Sequence, residues 1–255
     1  MSNKNGVAIV TGGGRGIGKG MALLYAKNGV DVAIFGRTYE RLVETVGEIE
    51  KLGGRGLAVK CDVGVLNDVE KAFDKTLEKF GRVDILVNNA GLAQPTDPIT
   101  ELDLSYLDSI IDTDFKGVYY CSRRAAKEMI PQKSGRIVNI SSIQGLIPLP
   151  CVVYGPIKAA VIMFTRILAR ELAKYMITVN CIAPGYVQTQ MSTDQGDRNI
   201  ELFLKNIPMH VPIMVDDIAE LTFFLTSEKA RYITGAVIAA DAGATSDGGW
   251  HAYGR

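Results

Sequence analysis

The chain has 255 residues, long enough to bury a large core and suited to one α/β domain or two small ones, with 47% apolar residues, 22% charged residues and a formal net charge of zero (28 basic against 28 acidic). That composition is ordinary for a globular protein, carries no basic footprint for nucleic acid, and offers only strand-sized apolar runs, so no membrane span is expected. Four scattered cysteines (Cys61, Cys121, Cys151, Cys181) and two histidines supply no metal-ligand spacing, so no metal site is expected. Reduced thiols, and an N-terminus that enters a strand without a secretory apolar region, point to the cytoplasm.

Taken in order, Val7–Val10 reads as a short apolar strand, followed by glycines and a helix from about Gly16 to Asn28. Asp31–Phe35 is a second strand and Tyr39–Leu52 a charged amphipathic helix; Gly56–Cys61 and Asn67–Phe80 repeat the pair. Val83–Val87 is a fourth strand running into Asn88-Asn89-Ala90-Gly91, and one long helical region, roughly Leu102–Met129, precedes the strand Arg136–Ile140. A helix opened by Tyr154 and Lys158 runs to about Lys174, and Thr178–Ile182 and Ala236–Ala240 are the last strands. Alternating strands and helices with short connections predict a single α/β domain over residues 1–255: a Rossmann-like, doubly wound parallel sheet of about seven strands flanked by helices. The polar stretch Tyr186–Val215 breaks the rhythm and reads as a substrate loop. In such sheets ligands sit beyond the carboxyl ends of the strands. Gly12–Gly18, Arg37, Asp62, Asn88–Gly91, Ser142 and Pro184-Gly185 all fall there.

Three groups of residues carry chemistry. Thr11-Gly12-Gly-Gly-Arg15-Gly16-Ile17-Gly18 joins the first strand to the first helix; its glycines admit backbone close to a pyrophosphate, and the helix N-terminus offers N–H groups and a positive dipole end. The spacing differs from the Gly-x-Gly-x-x-Gly fingerprint. Tyr154 and Lys158 are four apart and share one helix face. A phenol titrates near pH 10, and a neighbouring ammonium favours the phenolate, so the pair suits a Tyr acid/base tuned by its Lys. Cys151, three residues earlier, reads as a small packing residue.

Together with Asn88-Asn89-Ala90-Gly91 and Pro184-Gly185-x-Val187-x-Thr189, these motifs resemble the short-chain dehydrogenase/reductase family, from about Gly6 to Gly243. The resemblance implies an oxidoreductase in which Tyr154 moves a proton to or from the substrate oxygen. Lys158 would lower the Tyr pKa and bind the nicotinamide ribose, and Ser142 would hold the substrate oxygen. It also implies that Asp62 and Val63 meet the adenine, that the Asn88–Gly91 turn, with Asn89, Ala90 and Gly91 at the cofactor, braces the sheet beside it, and that Pro184, Gly185, Val187 and Thr189 hold the nicotinamide amide. At the end of the second strand an acidic residue would bind the ribose hydroxyls of NAD; here Gly36-Arg37-Thr38 stands instead, and Arg37 with Arg15 can pair with a 2′-phosphate. NADP(H) is therefore expected rather than NAD(H).

Three departures stand out. Asp114, in Asp112-Thr-Asp114-Phe-Lys-Gly117, occupies the place of the family's relay Asn. It adds negative charge beside Lys158, which raises the lysine's pKa, partly offsets its field at Tyr154 and alters the pH dependence. The interval from Ser142 to Tyr154 is one residue short of the usual one, which leaves Ser141 as the alternative, with Ser142 preferred. Pro156 lies in the first turn of its helix, where proline is tolerated. Gln144, Leu146, Leu149, Val152, Tyr186, Gln190 and Met191 are candidate substrate contacts, suited to a polyol, sugar acid or 3-hydroxyacyl-type alcohol or ketone. The tail 244–255, with Trp250, His251 and Arg255, is expected either to reach a neighbouring subunit's site or to be structural, and a homo-oligomer (tetramer or dimer) is implied. A non-catalytic NADP(H)-binding sensor or structural partner on the same fold is the alternative.

Overall fold

A computed structural model describes residues 6–92, 96–189, 204–205 and 207–246. Seven parallel strands form the sheet: β1 (Val7–Thr11), β2 (Asp31–Gly36), β3 (Gly56–Lys60), β4 (Ile85–Asn88), β5 (Gly135–Ile140), β6 (Ile177–Pro184) and β9 (Val237–Ala240). Their order is β3-β2-β1-β4-β5-β6-β9. Strand order reverses between β1 and β4, which opens a crevice at their carboxyl ends. β7 (Val187–Gln188) and β8 (Ile213–Met214) form a separate parallel pair.

The helices are α1 (Gly16–Lys27), α2 (Tyr39–Lys51), α3 (Leu66–Phe80), α4 (Leu104–Ile110), α5 (Gly117–Gln132), α6 (Tyr154–Leu172) and α7 (Val215–Thr226). They cover both faces of the sheet, as the period of two along each strand requires. Ala8 and Val10 of β1 point to one face, with Met21 and Tyr25 of α1, Leu42 and Ile49 of α2, and Ile218 and Leu225 of α7. Ile9 points to the other, with Phe73 of α3, Met129 of α5 and Leu172 of α6. Each core leucine or phenylalanine buried in this way contributes about 1.5–3 kcal/mol.

Three boundaries differ from expectation. The region expected over Leu102–Met129 is helical from Leu104 to Gln132, but a π-helical segment, Ile111–Lys116, joins α4 to α5, and α5 continues through Pro131. The fourth strand starts at Ile85, two residues later than expected. The stretch after Tyr186 ends in α7, whose first-turn Asp217 accepts from the Met214 backbone N–H at 2.8 Å. Among the described residues no helix is long and apolar enough to cross a membrane.

Candidate active site

The glycine turn after β1 is built by close packing. Gly12 has φ +69, a conformation that favours glycine, and a Cβ on it would lie 2.9 Å from Asn89 Nδ2. At Gly18 a Cβ would stand 2.3 Å from the Gly12 carbonyl oxygen, so the first turn of α1 rests directly on the glycine loop. Thr11 ties this turn to the loop after β4: its hydroxyl accepts from the Asn89 and Ala90 backbone N–H groups at 2.9 and 3.0 Å, and Asn89 Nδ2 donates to the Thr11 carbonyl at 2.9 Å. Asn88 points into the sheet instead, donating to Asn139 Oδ1 at 2.8 Å and Ser122 Oγ at 3.0 Å, while Asn139 donates to Thr165 at 2.9 Å. This buried polar chain locks β4 and β5 to the helices α5 and α6.

Several observations fit a nicotinamide dinucleotide. No side chain caps the N-terminus of α1, where Arg15 is the cap residue, and the first turn (Gly16, Ile17, Gly18) carries no acid. Its N–H groups and positive dipole end therefore suit a pyrophosphate. Thr189 closes the same spot from β7's side, its Cγ2 lying 3.6 Å from where a Gly16 Cβ would be. Arg37 and Thr38, at the end of β2, are exposed, as is Arg15. Among the described residues neither Arg15 nor Arg37 has an ion-pair partner. Asp62 Oδ1 accepts from Gly64 N–H at 3.0 Å and Val63 is buried against Gly117. Gly185 donates to the Ala240 carbonyl at 2.9 Å and packs so closely on Asp241 that a Cβ would meet its Cα at 2.9 Å. Pro184 and Val187 are buried beside it.

At the end of β5 the two serines part company. Ser141 is buried and its hydroxyl donates to the Lys158 carbonyl at 2.8 Å. Ser142 caps the short 3-10 turn Ile143–Gly145, accepting from Gln144 N–H at 3.2 Å, and is the less buried of the two. Gly145 then touches α6: a Cβ there would lie 2.7 Å from the Lys158 carbonyl carbon. These contacts bring the serine loop against the first turns of α6, which Tyr154 opens and which Pro156 does not break. Gln144 lies beside Gly155. Leu149 packs on the small cluster of Ile143, Ile207 and Ala244, whereas Leu146 and Val152 are exposed. Tyr186 is partly buried; Cys151 is buried, and burial pushes its thiol pKa up. Gln190, Met191, Trp250, His251 and Arg255 lie outside the described residues.

Lys158 Nζ lies 5.2 Å from the centre of the Tyr154 ring and donates to the Ile140 carbonyl at 3.2 Å. Its other partner is Asp114, fully buried on the π-helical segment, with Oδ2 3.0 Å from Nζ. Burial opposes the lysine's charge, but Tyr154 and Asp114 outweigh it and raise the pKa to about 12. Reading the sequence did not find three backbone partners of this site: the Leu92 N–H that donates to Asp114 at 2.9 Å, the Ile140 carbonyl, and the close approach at Gly145. Backbone groups carry no sequence signature; only Gly145 could have been noticed.

A family model described as Enoyl-(Acyl carrier protein) reductase matches residues 12–245. The chain is 38% identical over 240 residues to a 3-oxoacyl-[acyl-carrier-protein] reductase of Synechocystis, covering 93% of this chain and 96% of that one. It belongs to the short-chain dehydrogenase/reductase family. Among solved structures, a short-chain type dehydrogenase/reductase from Mycobacterium marinum superposes with a TM-score of 0.90 at 32% identity, covering 95% of this chain and 96% of that one. Acetoin dehydrogenase from Enterobacter cloacae gives a TM-score of 0.85 at 34% identity, covering 94% and 96% respectively. As a member of the family, the chain is an NAD(P)-dependent oxidoreductase acting on a CH–OH or keto group.

Proposed function

We propose that the chain transfers a hydride between NADP(H) and a secondary alcohol or ketone, with Tyr154 as general acid/base. The observation that carries this reading is the convergence of the Ser142 loop, Tyr154 and Lys158 at the carboxyl end of β5, with only β4 between it and β1, whose end leads into the uncapped N-terminus of α1. When bound, the nicotinamide supplies or accepts the hydride. Ser142 holds the substrate oxygen, Tyr154 gives it a proton in reduction or takes one in oxidation, and Lys158 supplies the positive field beside the phenol. Thr11, Gly12, Gly16, Ile17 and Gly18 would cradle the pyrophosphate, Asp62 and Val63 the adenine. Asn89, Ala90, Gly91, Pro184, Gly185, Val187 and Thr189 would line the nicotinamide half.

Two exposed arginines and no acid at the end of β2 support NADP(H) over NAD(H). Arg37 and Arg15 offer planar guanidinium donors to a 2′-phosphate, while an NAD-binding carboxylate is missing. The polar residues Gln144 and Tyr186 suit a substrate with oxygen beyond the reacting carbonyl. A 3-oxoacyl or 3-hydroxyacyl compound is the first to try, in view of the relative's name, with small diols, polyols and sugar acids next. Segment 186–215 would carry substrate contacts, Gln190 and Met191 among them, and 244–255 would either reach a neighbouring subunit's site or be structural.

A homo-oligomer, tetramer or dimer, is supported by an apolar face on α5 and α6: Tyr119, Met163 and Ile167 are 46%, 54% and 59% exposed around the tilted Tyr119–Phe164 ring pair. Four free, buried thiols agree with a cytoplasmic setting. The test is a panel of 3-oxoacyl esters, diketones and sugars assayed by loss of NADPH absorbance. Turnover by the wild type that Tyr154→Phe abolishes supports the proposal; undiminished turnover by the variant refutes it.

A further inference from the structure

Asp114 is the buried group of this site whose chemistry departs most from a neutral amide. The π-helical segment Ile111–Lys116 bulges the long helix so that Asp114, with no exposed surface, projects to Lys158 and to the loop after β4. One carboxylate oxygen accepts from Leu92 N–H at 2.9 Å; the other has no aligned hydrogen-bond donor, and its charge is met by the Lys158 ammonium at 3.0 Å. Gly91 makes room for the pair: a Cβ there would sit 2.9 Å from Asp114 Oδ2 and 3.4 Å from Lys158 Nζ. The groups facing Lys158 are then Tyr154 from its own helix, Asp114 from the π segment, Cys181 from β6 and the Ile140 carbonyl from β5. Asp112, two residues away, is engaged with Lys116 at the surface. Within this set Asp114 is the carboxylate, and Lys158 is almost wholly buried. A buried ammonium without a counter-ion is disfavoured and sheds its proton more readily.

We propose that Asp114 is the built-in counter-ion of Lys158, a positioning residue that keeps the ammonium charged and seated against β5 in the free protein and so holds its positive field beside Tyr154 up to alkaline pH. Alcohol oxidation needs the phenol of Tyr154 to give up its proton under the pull of that ammonium, whose Nζ lies 5.2 Å from the ring centre. The catalytic half of this inference rests on the function proposed above; the counter-ion half does not.

The experiment therefore has a binding-free arm and a kinetic arm, both on Asp114→Asn, which keeps an oxygen for Leu92 N–H. In the first arm, thermal midpoints of wild type and variant without cofactor are compared from pH 7 to 10.5. The wild-type lysine, with its raised pKa, contributes stability that is full below the unfolded value of about 10.4 and is lost as pH rises through about 12. In the variant the unpaired lysine is penalised below the same unfolded value and relieved as pH rises toward it. The gap between the two proteins must therefore be widest near pH 7 and narrow steadily above pH 9. A gap that stays constant with pH, or no gap, overturns the counter-ion role.

If Asp114→Asn does not fold, the double variant Asp114→Asn with Lys158→Met decides: recovery of folding supports the charge pair. Failure of the double variant while Lys158→Met alone folds overturns the role, because the carboxylate would then serve Leu92 and not the lysine. In the kinetic arm, kcat for alcohol oxidation by Asp114→Asn drops below the wild-type value by a factor that grows as pH rises above 9, where the unpaired lysine sheds its proton. A ratio of the two rates that does not change with pH overturns the catalytic half. Absence of turnover in the wild type would fall on the proposed function and leave the stability arm to judge the counter-ion.

Discussion

A methyl group at Gly145 is the most direct probe of how the serine loop is docked. Its φ does not lie in the left-handed region, so alanine meets no backbone penalty there; the obstacle is space. The added Cβ would stand 2.7 Å from the Lys158 carbonyl carbon, 2.8 Å from Ala159 N and 2.9 Å from Lys158 O, all main-chain atoms of α6. Carbon pairs settle at about 3.5–4.0 Å, so loop and helix must part by roughly 1 Å. Overpacking of this kind costs about 1–3 kcal/mol, or a melting point lower by roughly 2–10 °C for a domain of this size. Ser142 lies three residues upstream and Tyr154 opens the helix being pushed away. A misplacement of about 1 Å between such groups can reduce kcat about 100-fold. Differential scanning calorimetry and steady-state turnover on Gly145→Ala read both effects. A variant that melts with the wild type and turns over at its rate would refute the close docking of the loop on α6.

Arg37→Asn, alone and with Arg15→Asn, should weaken NADPH binding about 10- to 100-fold, the worth of one charge-assisted hydrogen bond or more, and leave NADH unchanged; fluorescence titration reads both. Asn139→Ala should lower the urea midpoint by an amount equal to about 1–3 kcal/mol per stranded partner, since Asn88 and Thr165 both lose a buried hydrogen bond. Met163→Glu with Ile167→Glu should shift the mass measured by light scattering toward the monomer if the α5–α6 face joins subunits, and an unchanged mass would remove that surface from the account.

The parts of this fold that were legible in the sequence are those whose signal is local. The sheet strands are short runs rich in apolar residues, such as Val7–Val10, and buried parallel strands need no more than that. Gly12–Gly18 and Tyr154–Lys158 were legible because their spacing is their chemistry. What could not be read arises from tertiary contact. Nothing in Asp112–Lys116 marks a π bulge, which relates to where Asp114 must reach. The helix α7 was hidden behind a polar stretch, although Asp216 and Asp217 mark its start. The difference between Ser141 and Ser142 likewise comes from the position of α6: the Ser141 hydroxyl is committed to the Lys158 carbonyl and that of Ser142 is not.

The central claim is NADP(H)-dependent carbonyl chemistry with Tyr154 as the proton donor and acceptor. It is tested most directly by following NADPH absorbance with a 3-oxoacyl ester or diketone in wild type and Tyr154→Phe, with NADPH binding to both measured alongside. The account predicts consumption of NADPH by the wild type and its loss in a variant that still binds the cofactor. Equal rates in the two proteins would contradict it.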